Sequence, residues 1–144
     1  MGSCWAKEVD YHDQDQDHHE AELASGNVHL ITTMENWEVM LSEANKDGKI
    51  VLANFSAPWC NPCRSIAPTY IEMADKYPSF LFLTVDVDEL TELSTSWGIS
   101  ATPTFFFLKE QKTIDKLVGA NKDELHKKLA AVTTRHDNSQ AKSQ

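Results

Sequence analysis

The chain has 144 residues, 41% of them hydrophobic, enough for one domain with a single substantial core. No apolar run approaches the roughly 18 residues a membrane-spanning helix needs, and the net charge of −9 comes with no basic patch suited to nucleic acid. The start, Met1-Gly2-Ser3-Cys4, lacks the basic and apolar regions of a secretory signal, so a reducing compartment is expected, where three cysteines favour reactive over framework roles.

The charge gathers at one end. Residues 1–26 hold seven acids (Glu8, Asp10, Asp13, Asp15, Asp17, Glu20, Glu22) against one base, Lys7, a balance of −6, and the remainder carries only −3. This polar, acidic stretch has too little apolar surface to offset the entropy of ordering, so it reads as a flexible extension. Its run from Asp10 to Glu22, with His12, His18 and His19, reads as a solvated spacer rather than a cation site. The folded domain is expected over 27–133, with 134–144 as a disordered tail.

In chain order, Val28 to Ile31 reads as a short strand. Thr33 can cap a helix with Trp37, Met40, Leu41 and Ala44 on one face, ending at Asp47-Gly48. Ile50 to Ser56 suits a central strand covered on both faces. A second helix is expected from about Cys63 to Lys76, kinked at Pro68. Phe80 to Val87 is another buried strand and Asp88 to Trp97 a short helix. Thr104 to Leu108 and Thr113 to Val118 form a strand pair, and a last helix after Asn121 buries Leu125, Leu129 and Val132. The order β-α-β-α-β-α-β-β-α implies an α/β fold, a central mixed sheet with helices on both faces.

The chemistry centres on Trp59-Cys60-Asn61-Pro62-Cys63-Arg64, where the central strand hands over to the second helix. Cys60 falls at the helix N-terminus, where unpaired backbone N–H groups and the helix dipole favour an anion, here the nucleophilic thiolate. Cys63, one helical turn on, can attack a mixed disulfide formed at Cys60. Pro62 needs no N–H partner in the first turn and stiffens the ring. The rival readings are half a zinc site, for which only Cys4 and the histidines of the extension remain as ligands, and an inert core pair. A Cys-x-x-Cys pair between a buried strand and a helix in a βαβ chain favours redox chemistry.

Phe55 to Cys63, then Val85-Asp86-Val87-Asp88, Ala101-Thr102-Pro103-Thr104-Phe105 and Val118-Gly119-Ala120 together resemble thioredoxin, over roughly residues 27–133. Gly26 to Thr32, Ala53-Asn54-Phe55 and the Met-Gly-Ser-Cys start resemble a subgroup of plant h-type thioredoxins with an N-terminal extension. The resemblance implies the thioredoxin fold and a protein-disulfide oxidoreductase with Cys60 as nucleophile and Cys63 resolving, and no bound cofactor or metal. It implies Pro103 as a cis-proline facing the dithiol, the Thr102 backbone as a pairing site for extended substrate, and Trp59, Asn61, Pro62, Val118, Gly119 and Ala120 as the surface around the cysteines. Without it, Thr102-Pro103 is merely a strand start. The implied partners are protein disulfides, with electrons from NADPH through thioredoxin reductase or from glutathione and glutaredoxin.

Three positions depart from the common family pattern. The buried Asp six residues before the first active cysteine is Asn54, and the Lys that often pairs with it is Thr84. Asn cannot accept a proton, and exchanging both members avoids an unpaired buried charge. Cys63 is therefore expected to resolve without a buried carboxylate, with water or the leaving thiolate in its place. Asn61 stands where Gly is usual, in the extended conformation that precedes proline.

Gly2 and Cys4 resemble a dual-acylation start, though Ala6 replaces the expected Ser or Thr. Two acyl chains would anchor a cytoplasmic domain, expected to be a monomer, at the plasma membrane, and the acidic segment would not help. A Cys4 left unmodified is a candidate third redox thiol, reaching Cys60 or Cys63 in a glutathione-linked thiol transferase or isomerase. A third reading is a non-catalytic, membrane-tethered binding module.

Overall fold

Residues 24–142 are described by the computed structural model, so Gly2 and Cys4 lie outside the described residues. The elements are β1 (Val28–Ile31), α1 (Met34–Asp47), β2 (Val51–Ser56), α2 (Asn61–Lys76), β3 (Leu81–Asp86), α3 (Thr91–Ser96), β4 (Thr104–Lys109), β5 (Lys112–Val118) and α4 (Lys122–Lys142). The five strands form one sheet in the order β1-β3-β2-β4-β5. β1 and β2 both run parallel to β3, while β4 is antiparallel to β2 and to β5. This is the thioredoxin fold expected from the sequence, a mixed sheet with helices on both faces.

β2 is buried along its whole length, so its alternate side chains feed two separate cores. Leu52 joins Phe82, Phe105 and Phe107 under α2 and α4, which contribute Ile66, Tyr70, Met73, Leu125, Leu129 and Val132. Val51, Ala53 and Phe55 join Leu83, Val85, Phe106 and Leu108 against Trp37 and Ala44 of α1 and Leu93 of α3. Aromatic rings tie the second core together: Trp97 lies edge-on to Phe106 at 4.9 Å and to Trp37 at 5.5 Å between centroids.

Local chemistry sets the boundaries. Thr33 caps α1 by accepting the Asn36 N–H at 3.2 Å, and Gly48, at φ +68°, closes it in the left-handed conformation. α2 starts at Asn61, two residues earlier than expected, and passes Pro68 unbroken to Lys76. α3 starts later than expected because the Asp86 carboxylate takes the N–H groups of Asp88 and Glu89, at 2.9 and 3.4 Å, and holds 87–89 in a turn. α4 runs to Lys142, so the tail expected to be disordered from 134 is helical over 134–142. No Gly or Pro after Asn121 interrupts it, although its described core contacts end at Val132.

Candidate active site

β2 ends at Ser56, and Ala57-Pro58-Trp59 carry the chain across the top of the sheet into α2. Cys60 donates its N–H to Ala57 O at 3.1 Å and stands as the N-cap of α2. Its sulfur accepts the N–H of Cys63 at 3.3 Å. One of the helix's unpaired amides is therefore aimed at the Cys60 sulfur, an arrangement that stabilises negative charge there. Pro62, in the first turn, withdraws no donor the helix needs.

Cys60 and Cys63 are both free thiols, 4% and 0% exposed. The Cys60 thiol donates to the Thr102 carbonyl at 3.5 Å, which brings the Thr102-Pro103 turn over the dithiol. Burial pushes the Cys63 thiol up to about 11, helped by the Cys60 side chain, while the Ser56 side chain, the Ala57 backbone and the Thr102 side chain pull it back. No carboxylate is among the groups acting on it. At neutral pH the Cys63 thiol is therefore protonated.

The flanking surface is assembled from distant segments. The Thr102–Pro103 bond is cis, and Pro103 O accepts the N–H of Gly119 at 2.8 Å, which lays Val118-Gly119 beside it. Gly119 is at φ +100°, a conformation open to glycine and strained for other residues. Trp59 and Val118 leave 66% and 53% of their surface to solvent, unusual for large apolar residues beside a reactive centre, and Asn61 and Pro62 are exposed at the start of α2. The structure thus gathers Trp59, Cys60, Asn61, Pro62, Cys63, Thr102, Pro103, Val118 and Gly119 at one end of the sheet.

Two residues of this site escape a reading of the sequence. Asp88 accepts the Trp59 indole N–H at 2.7 Å, fixing the orientation of the exposed ring. Nothing in the sequence pairs an exposed indole with a carboxylate 29 residues further on. Ser56, buried and facing Cys63, is hidden at the end of a strand-forming run.

Asn54 and Thr84 are register partners on β2 and β3, both 1% exposed, and the next pair on the same face is Ser56 and Asp86. The family's acid and base positions are thus side by side here as two neutral polar groups. Asp86 is also buried, and desolvation raises its carboxyl above the ordinary value of 3.8 against the two amides that favour its anion. A raised value means the folded state holds the proton longer, so this contribution is complete below 3.8 and is lost as pH rises through the folded value. Asp86→Asn keeps an acceptor for the turn and removes the buried charge. Its urea midpoint relative to wild type should therefore improve from pH below 3.8 to neutral; a constant difference contradicts this.

Among the described residues no group of three or more His, Cys, Asp or Glu is placed to hold a metal, and no helix is long and apolar enough to cross a membrane. The Thioredoxin family model matches residues 28–131. The chain is similar to a thioredoxin H-type of Populus jackii, 63% identical over 92% of this chain and 94% of that one, and to thioredoxin H4-1 of Oryza sativa subsp. japonica, 58% identical over 92% and 97%. The crystal structure of a poplar wild-type thioredoxin h superposes with a TM-score of 0.74 at 66% identity, covering 75% of this chain and 97% of that one. Thioredoxins work through their own dithiol and need no bound cofactor. The dithiol at the strand-to-helix junction is thus that of a thiol–disulfide oxidoreductase, and the chain belongs to the thioredoxin family, among relatives of the plant h type.

Proposed function

We propose that Cys60 attacks protein disulfides and that Cys63 resolves the resulting mixed disulfide. The observation that carries this is the placement of the Cys60 sulfur on the α2 N-terminus, accepting the Cys63 N–H, with the Cys63 thiol buried behind it. A substrate segment lies against Trp59 and Val118 and pairs with the Thr102 backbone beside Pro103. The Cys60 thiolate then bonds to one substrate sulfur, and the other leaves as a thiolate and takes up a proton. Cys63 next bonds to Cys60 and loses its proton; the Cys60–substrate bond breaks, and the second substrate sulfur leaves and is protonated. The two electrons given to the substrate remain with it, and the protein is left with a Cys60–Cys63 disulfide.

Recycling requires a dithiol or glutathione-based donor, either NADPH with thioredoxin reductase or glutathione with glutaredoxin. Reduction of a model protein disulfide with each donor system tests the assignment. Turnover with at least one, lost in Cys60→Ser, is expected; no turnover with either leaves only a binding module. In the same reading Gly2 and Cys4 are acylated and tether the domain to a membrane surface, which intact mass of the natively produced protein tests. Unmodified Cys4 found in a disulfide after oxidation instead supports the glutathione-linked transferase.

Resolution in this reading uses no buried carboxylate, because Asn54 holds the position of the family's acid. Asn54→Asp places a carboxyl in a buried site, where desolvation raises its pKa. The variant should lose stability relative to wild type as pH rises through that value, and the pH profile of its thiol reactivity should move. Identical reactivity profiles for variant and wild type would sink the idea.

A further inference from the structure

Two buried side-chain oxygens have no hydrogen-bond partner among the described residues, Asn54 Oδ1 and Ser56 Oγ. They are two residues apart on the face of β2 that α2 covers, and Ser56 is only 1% exposed. A buried hydroxyl without a partner destabilises a fold and needs a physical account. Ser56 faces the Cys63 sulfur. Its side chain, the Ala57 N–H and the Thr102 side chain all act on the Cys63 sulfur, and all three favour the anion. Against the neutral thiol the Ser56 hydroxyl makes no formed bond. A thiol is a weak acceptor, whereas a thiolate accepts strongly, so this hydroxyl gains its partner only when Cys63 ionises.

We propose that Ser56 is a positioning residue for the resolving step, donating its hydroxyl to the Cys63 sulfur as that sulfur becomes anionic. With the Ala57 N–H and the Thr102 hydroxyl it forms a three-donor cradle for the transient thiolate, in place of a buried carboxylate. The inference rests on Cys63 being the resolving thiol. Ser56 keeps its own proton throughout. The Cys63 proton passes to solvent, the Cys60–Cys63 bond forms, the Cys60–substrate bond breaks, and the departing substrate thiolate takes up the balancing proton. The titratable and charged groups on the surrounding elements are Cys60 and Arg64 on α2 and Asp86, Asp88 and Glu89 at and after the end of β3; the Thr102-Pro103 turn contributes none. Of these only Cys60 acts on the Cys63 thiol.

Stopped-flow reaction of the reduced full chain with a chromogenic aromatic disulfide tests this, in a Cys4→Ser background so that no third thiol contributes. The first aromatic thiolate released reports attack by Cys60 and the second reports resolution by Cys63. Ser56→Ala should leave the first phase unchanged, slow the second about tenfold near neutral pH, and move its pH profile upward by about one unit. Its urea midpoint should hold or rise, because an unpartnered buried hydroxyl has been removed. An unshifted pH profile with an unchanged second phase overturns the proposal, as does equal slowing of both phases, which would mark a general structural effect. Cys63→Ser is the separate control: release of a second thiolate from that variant would overturn the resolving role itself, whatever Ser56 does.

Discussion

Cys60→Ser is expected to abolish disulfide reduction, and Cys63→Ser to halt it after one attack, leaving substrate covalently held at Cys60. The two losses differ in kind because the two sulfurs are differently placed. Serine at the N-cap can still accept the Cys63 N–H and hold the helix, but its hydroxyl does not ionise near neutral pH, so turnover should fall below about a thousandth of the wild-type rate. Serine at 63 leaves the Cys60 sulfur and its helix-end environment intact, so the first attack proceeds. The mixed disulfide then persists, because the buried residue behind Cys60 can no longer displace the substrate. Equal loss of the first attack in both variants, read from stopped-flow release of the first thiolate, contradicts the assignment of roles.

Tyr70 carries the second large effect, on stability. It is fully buried beneath the sheet, its ring 5.3 Å from Phe82 and 5.5 Å from Phe105 between centroids. Its hydroxyl donates its one proton between Leu83 O at 2.7 Å and Leu52 O at 2.9 Å, bridging α2 to β3 and β2. Burial holds the phenol well above its ordinary pKa, so it remains a neutral donor throughout the working pH range. Tyr70→Ala should cost about 3–5 kcal/mol through the cavity it opens, close to unfolding a domain of ordinary stability. Tyr70→Phe keeps the ring and removes only the bridge, for about 1–3 kcal/mol. Urea denaturation of the three proteins separates packing from hydrogen bond, and a Tyr70→Phe protein as unstable as Tyr70→Ala contradicts the division. Because Tyr70 lies on the helix that begins at the dithiol, the same contacts hold Cys60 and Cys63 against β2.

Much of this architecture is legible from patterns within single segments. A continuous apolar run marks β2, the Thr33 and Gly48 caps bound α1, and the strand-to-helix junction places Cys60 before any long-range contact is known. What the sequence leaves hidden depends on tertiary neighbours. The hairpin between β4 and β5 turns on Glu110 and Gln111, both at positive φ, and neither is the Gly or Asn that usually advertises such a turn. The late start of α3 depends on how the Asp86 side chain folds back onto its own following amides. The length of α4 follows from the absence of a stop signal, which a search for apolar periodicity passes over once the core contacts end.

The site divides the same way. Its two cysteines stand in one motif, and the resemblance to thioredoxin supplies Pro103 and Gly119 across the sheet. Asp88 meets the Trp59 indole, and Ser56 comes to face Cys63, only once the chain has folded. The Asn54–Thr84 exchange is visible as two letters, but only the register between β2 and β3 shows that they are neighbours.

The most direct test of the dithiol mechanism is a single turnover of the reduced full chain with one equivalent of a model disulfide, followed by intact mass and peptide mapping. The expected product is a protein lighter by two hydrogens, with its disulfide between Cys60 and Cys63 and with both substrate thiols released. A stable adduct on Cys63, or a first-turnover disulfide that joins Cys4 instead of the Cys60–Cys63 pair, would contradict it.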